Sequence, residues 1–175
     1  MKQFIPHHSK IVLGLAALTL TVVFGAGVAS AQSPHFLDSK TSLTFESDGD
    51  VTVKWKESGL GDNLNIDYTF GATASITCAC VTNSNRCPSA ENKASFSSAV
   101  SEEGTFSVKN GSVVGSLTIT APACPASASP TCGGGQHFVL SSLSYTNISL
   151  SDDTNQILAS GLPASLGPVT LFTCP

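Results

Sequence analysis

The chain has 175 residues, with 12 acidic and 8 basic side chains and a formal net charge of −4 at pH 7. This balance disfavours nucleic acid and anionic membrane surfaces as partners, because both require a basic patch on the protein. Only 11% of the residues are charged, and Ser and Thr supply most of the polarity. Such a composition is typical of a β-sheet surface.

The first 31 residues have the features of a signal peptide. Two lysines and no acidic residue accompany an apolar run over residues 11–27, and Ala29-Ser30-Ala31 matches the small-residue cleavage motif. An uncleaved membrane anchor is the alternative, but a span needs about 20 apolar residues. We expect cleavage between Ala31 and Gln32, which leaves residues 32–175 as a single secreted, extracellular domain with a net charge of −6.

Alternating apolar and polar residues predict β-strands along almost the whole mature chain. A strand around Leu43 leads through an Asp48-Gly49 turn to a second strand with Trp55 on its inner face. The clearest alternation follows over residues 64–80. A strand of this length is expected to bend or bulge at Gly71.

The remaining predicted strands are separated by turns and loops. They cover residues 94–100, 104–108, 113–120, 137–150, 156–160 and 169–172. An Asn110-Gly111 turn joins the second and third of these strands, and a bulge is expected at Ser141-Ser142 in the longest one. About eight strands separated by turns predict an all-β fold, a two-sheet antiparallel β-sandwich of immunoglobulin-like type, stapled by disulfides. A closed β-barrel is the alternative.

The six cysteines of this exported chain predict three disulfides. They are Cys78, Cys80, Cys87, Cys124, Cys132 and Cys174. Their spacing matches neither paired C-x-x-C motifs nor a Cys/His finger. We therefore expect neither a metal site nor a cofactor.

Six cysteines permit 15 pairings, and the strand order favours one of them. If the strand ending at Cys80 neighbours the antiparallel strand that starts after Cys132, these two residues meet at one end of the sandwich. A bridge between them closes a loop of about 50 residues, which stabilises the fold by on the order of 4 kcal/mol in the chain-entropy model. Cys87–Cys124 and Cys78–Cys174 would complete the set.

Several short motifs, spread over most of the mature chain, resemble a group of short secreted proteins of unassigned function from actinobacteria and some fungi. The motifs are Ser33-Pro34-His35-Phe36, Val53-Lys54-Trp55-Lys56-Glu57-Ser58-Gly59-Leu60-Gly61, Cys80-Val81-Thr82-Asn83 with a later Asn92-Lys93, and Leu143-Ser144-Tyr145-Thr146-Asn147-Ile148-Ser149-Leu150. Members of that group often have fewer cysteines, matching Cys80 and Cys132, and have Phe at the position of Trp55. The resemblance implies a secreted β domain and no activity.

The sequence contains no motif that specifies a reaction. A serine hydrolase needs a strained G-x-S-x-G turn and a base, and this turn motif is absent. The two mature histidines, His35 and His137, are expected to be structural or surface residues. A copper site at His35 would require cleavage after Pro34, against the preference of signal peptidase.

Three further features have structural as well as functional interpretations. Two acidic clusters could bind calcium, but hairpin turns need the same residues for their backbones; the clusters are Glu46, Asp48 and Asp50, and Asp152, Asp153 and Asn155. Trp55 and Tyr145 could form a sugar platform, but the inward parity of Trp55 favours a core position. Asn110 and Asn147 begin glycosylation sequons, which matter only in a eukaryotic host.

We therefore expect a non-catalytic extracellular surface, matrix or binding module. Its partner would be a protein or a glycan, contacted through the variable loops at the cysteine end of the sandwich. A secreted enzyme or inhibitor that acts on polysaccharide or protein is the alternative. A pocket with converging carboxylates or histidines would favour the enzyme, whereas a filled core and flat faces would favour the module.

Overall fold

A computed structural model of the chain describes residues 33–88, 92–126 and 131–173. The predicted signal peptide, its cleavage site between Ala31 and Gln32, and Cys174 lie outside the described residues. The described part of the chain forms nine strands in two antiparallel sheets. This arrangement confirms the all-β sandwich, with nine strands where about eight were predicted. The sheets are not joined into a closed barrel in the described part of the chain, so the barrel alternative is wrong.

The first sheet is built on β3 (Val51–Ser58). It pairs antiparallel with β6 (Ser112–Ile119) along its whole length. Two short strands, β1 (His35–Phe36) and β2 (Ser42–Phe45), pair with different parts of β3 and therefore share its other edge. Alternate residues of β3 are buried from Val51 onwards, as the alternation predicts.

The second sheet is built on the longest strand, β4 (Asn65–Thr82). Its neighbours are β5 (Lys93–Ser107) on one side and β7 (Gln136–Asp152) on the other, both antiparallel. The outer edge of β7 is shared by β8 (Ile157–Leu158) and β9 (Ser165–Thr170). One strand in each sheet, β3 in the first and β7 in the second, thus has an edge divided between two short strands.

Strand β5 differs from the prediction, which divided it into two strands over residues 94–100 and 104–108. Gly104 remains in the ladder opposite Tyr68. A Cβ atom at this position would lie 3.0 Å from the ring of Phe106. The glycine therefore permits close packing against this ring and does not end the strand.

Two bulges in β7 control which residues face the core. The register against β4 shifts between Thr77 and Cys78, opposite Ser142 and Leu140, so Ser141 is the extra residue, as predicted. A second shift lies beside Gly71, where a bulge was predicted in β4. The extra residue belongs to β7 instead, at Asn147, whose φ is +52°. Such a left-handed residue suits a bulge.

The core is filled by aromatic side chains from both sheets. Trp55 and Tyr68 lie with their ring centroids 4.8 Å apart, and Phe106 packs edge-on against both. The indole also covers Gly115 on β6, where a Cβ atom would overlap the ring. Trp55 is 1% exposed, which confirms the predicted core position. Tyr145 is also buried and donates a hydrogen bond of 2.9 Å to the Gly49 carbonyl, so the two rings form no surface sugar platform.

Two disulfides join the end of β4 to the loop that leads from β6 to β7. The Cys80–Cys132 bridge has the predicted pairing. Cys78 bonds to Cys124, so the predicted Cys87–Cys124 and Cys78–Cys174 pairings are wrong. Cys78 and Cys80 project from the same side of β4, and the loop follows that side closely enough for both to bridge to it. Cys87 is also disulfide-bonded.

Candidate functional site

Two carboxyl groups lie buried between the sheets, at the end of β4 opposite to the disulfides. Glu57, on β3, and Asp152, the last residue of β7, are both 0% exposed. The Tyr68 hydroxyl donates a hydrogen bond of 2.7 Å to Oε2 of Glu57. Asp152 accepts two hydrogen bonds from Asn155, from the backbone N–H at 2.8 Å and from Nδ2 at 2.6 Å.

Burial dominates the electrostatics of this carboxyl pair. Desolvation raises the pKa of Glu57 to about 7; the hydrogen bond from Tyr68 lowers it, and the charge of Asp152 raises it. Burial also raises the pKa of Tyr68, with Glu57 as the next cause. Glu57 therefore keeps its proton under weakly acidic conditions. Its Oε1 atom and the Trp55 indole N–H have no hydrogen-bond partner among the described residues.

The carboxyl pair was not predicted from the sequence, although one half of it has a visible signal. Glu57 continues the inward parity of Val53 and Trp55 on the same strand. Asp152 has no such signal. In a regular strand every second residue after the buried Tyr145 faces the core, and this alternation places Asp152 on the outer face. The extra residue at Asn147 reverses the parity and turns Asp152 inward.

The structure does not bring the two histidines together. His35 is exposed on β1, next to Phe36, whose ring contacts Tyr68. His137 is exposed and pairs with Val81, about 40 Å farther along β4 at 3.3 Å per residue.

The acidic clusters considered for calcium use their oxygens in local hydrogen bonds. Asp48 accepts from the Asp50 N–H at 3.1 Å, and Asp50 accepts from the Ala121 N–H at 2.8 Å. Asp153 accepts from Ser151 at 2.7 Å and from Thr69 at 2.5 Å. Over residues 33–88, 92–126 and 131–173, no group of three or more His, Cys, Asp or Glu residues is placed to hold a metal ion.

Both glycosylation sequons lie on exposed turns or bulges. Asn110 has a φ of +50° in the turn between β5 and β6, and Asn147 occupies the bulge of β7. The Asn147 side chain donates a hydrogen bond of 3.2 Å to the Thr73 hydroxyl.

A shallow depression of about 370 Å³ lies at the disulfide end. Its lining includes both cysteines of the β6–β7 loop, together with His137 and Phe138. Gln136 also contributes, and its buried side-chain oxygen has no hydrogen-bond partner among the described residues. The loops at this end therefore enclose a small polar surface.

A second concave surface lies over β3 and β6 of the first sheet and extends to Phe106 and Ser107 at the end of β5. It consists of two adjoining depressions of about 570 and 580 Å³, which share Lys56, Phe106 and Val114. Lysines from three separate segments surround them: Lys40, Lys54, Lys56 and Lys109. We call this surface the lysine groove.

Comparisons with protein-family models, with curated proteins and with solved structures found no match to this chain. Within the described ranges, no helix is long and apolar enough to cross a membrane.

Proposed function

We propose that this chain is an exported, non-catalytic binding module of immunoglobulin-like type, which contacts a glycan or a protein outside the cell. One observation carries the proposal. The carboxyl pair, where the pKa of Glu57 is strongly raised, is fully enclosed in the core. Perturbed carboxyl groups usually suggest an active site, but a substrate in solvent cannot reach these two unless the sheets separate.

The frame of the domain supports this proposal. Two disulfides hold the β6–β7 loop against the end of β4, and such bridges are compatible with an oxidising extracellular environment. A rigid sandwich that presents loops and an open sheet face is a common arrangement for recognition. The loops at the disulfide end and the lysine groove are two surfaces that a partner could contact.

Binding and catalysis can be separated in one experiment. Purified protein covering residues 32–175 would be incubated with insoluble cell-wall and polysaccharide preparations. Depletion of the protein from solution would be measured together with the release of soluble sugars and peptides. We expect depletion without release. Product that accumulates in proportion to the protein would contradict a non-catalytic role. A failure to bind any preparation would contradict a glycan partner.

A further inference from the structure

We propose that the lysine groove binds a linear polysaccharide that carries carboxylate groups, such as a polyuronate. This inference rests on the proposed function and names its ligand class. It concerns the outer face of the first sheet, where Lys54 and Lys56 occupy the outward positions on either side of the buried Trp55.

Positive charge is concentrated at the lysine groove. Six basic residues follow the predicted cleavage site, and four of them surround this groove. No carboxylate lines either depression. In the described part of the chain, none of these four ammonium groups forms an ion pair. A chain of net negative charge thus carries one concave surface of positive charge, which attracts anions.

The side chains between the lysines suit a sugar chain. Ser107, Ser112 and Ser116 also line the groove and can hydrogen-bond to sugar hydroxyl groups. Val114 is 76% exposed at the centre, where it can contact the apolar face of a sugar ring. The distance along β6 from Ser112 to Ser116 is about 13 Å, long enough to contact more than one linked ring.

The groove suits a polyuronate better than a polyanion of higher charge density. Single-stranded nucleic acids are usually bound by aromatic rings on which bases stack, but Trp55 is only 1% exposed and Phe106 packs edge-on against it. Duplex DNA carries one charge per about 1.7 Å, which four lysines on a negative protein match poorly. A polyuronate has at most one carboxylate per ring and retains hydroxyl groups for the serines.

The test measures binding of the mature protein to soluble polygalacturonate by calorimetry at low ionic strength. The groove variant would be the double substitution Lys54→Glu and Lys56→Glu. The matched control is Arg86→Glu combined with Lys93→Glu, which makes the same change in net charge outside the groove lining. Thermal melting would verify that each variant is folded, and Lys54→Gln with Lys56→Gln would replace a groove variant that is not.

We expect the groove variant to weaken binding at least about tenfold. Each substitution removes one exposed charge contact, which alone accounts for only part of this loss, and each new glutamate also repels the carboxylates of the ligand. The control should change the affinity less than about threefold. Added salt should weaken binding, because the charges are exposed to solvent. Equal losses in the groove variant and the control would overturn the proposal.

Parallel titrations would use dextran sulfate, single-stranded DNA and a neutral glucan. We expect polygalacturonate to bind more tightly than any of these. Equal or tighter binding of dextran sulfate or DNA would overturn the polyuronate and indicate simple ion exchange. If wild-type protein binds a cell-wall preparation but not polygalacturonate, this inference fails while the proposed function stands. Binding to neither would refute this inference and the glycan partner of the proposed function.

Discussion

Tyr68 in the second sheet donates a hydrogen bond of 2.7 Å to Glu57 in the first sheet. Both side chains are buried, and Asp152 is the partner of Tyr68 in the β4–β7 ladder. The bond therefore links the two sheets at the end of the sandwich that has no disulfide among the described residues. A polar contact in this position couples the packing of the sheets to the protonation of one carboxyl group.

The free energy of unfolding should decrease as the pH rises from 4.5 to about 7. Folded Glu57 keeps its proton up to a pKa of about 7, because burial disfavours the ionised form, whereas unfolded Glu57 releases it near 4.5. In this interval the folded state binds more protons, so this stabilisation is fully present below 4.5 and lost above about 7. The expected loss is about 3 kcal/mol, measured by urea unfolding at a series of pH values.

The control for this pH dependence is Glu57→Gln. Glutamine keeps the size of the side chain and an acceptor oxygen for Tyr68, but it does not titrate. The variant should therefore lose most of the decrease in stability between these pH values. If wild type and variant have the same pH profile, Glu57 is not the responsible group.

The two described disulfides should contribute similarly to stability. They close loops of 46 and 52 residues, for which the chain-entropy model gives nearly equal terms of about 4 kcal/mol. Replacing both cysteines of one bridge by Ser avoids a free thiol. We expect the Cys78/Cys124 and Cys80/Cys132 double variants to lose about 2–5 kcal/mol each in urea unfolding. A Cys78/Cys124 variant as stable as wild type would contradict this pairing.

Gly115→Ala should destabilise the domain, because the added Cβ would overlap the indole of Trp55. The buried ring packs against Tyr68 and Phe106, which limit its movement, so the expected loss is about 1–3 kcal/mol. Gly134→Ala is the matched control, since nothing lies within 4 Å of a Cβ atom there. Thermal melting of both variants provides the comparison. Equal melting temperatures would show that Trp55 does not pack on Gly115.

Much of the fold could be predicted from local patterns. Apolar residues at every second position, such as Val51, Val53 and Trp55, indicate a strand with one buried face. The Cys80–Cys132 pair followed from the expected adjacency of β4 and β7. The partner of Cys78 could not be predicted in this way, because it depends on the path of the β6–β7 loop, for which the local sequence contains no signal. The inward orientation of Asp152 depends on the bulge at Asn147, and a one-residue insertion reverses every later position.

The bulge itself can be tested at Asn147. Its φ of +52° is accessible to Asn and Gly but costly for β-branched residues. Asn147→Val should therefore cost about 1–3 kcal/mol, whereas Asn147→Gly should change stability much less, with a small effect from the lost hydrogen bond to Thr73. Urea unfolding measures both. If Val is tolerated as well as Gly, the extra residue does not adopt this conformation.

The central claim is that Glu57 and Asp152 are enclosed between the sheets and that the protonated form of Glu57 stabilises the fold. The most direct test is an NMR titration that follows the side-chain carboxyl carbon of Glu57 in the folded protein. We predict a midpoint near pH 7, in agreement with the burial of this group. A midpoint near its ordinary value of 4.5 would place Glu57 in contact with solvent and contradict the claim.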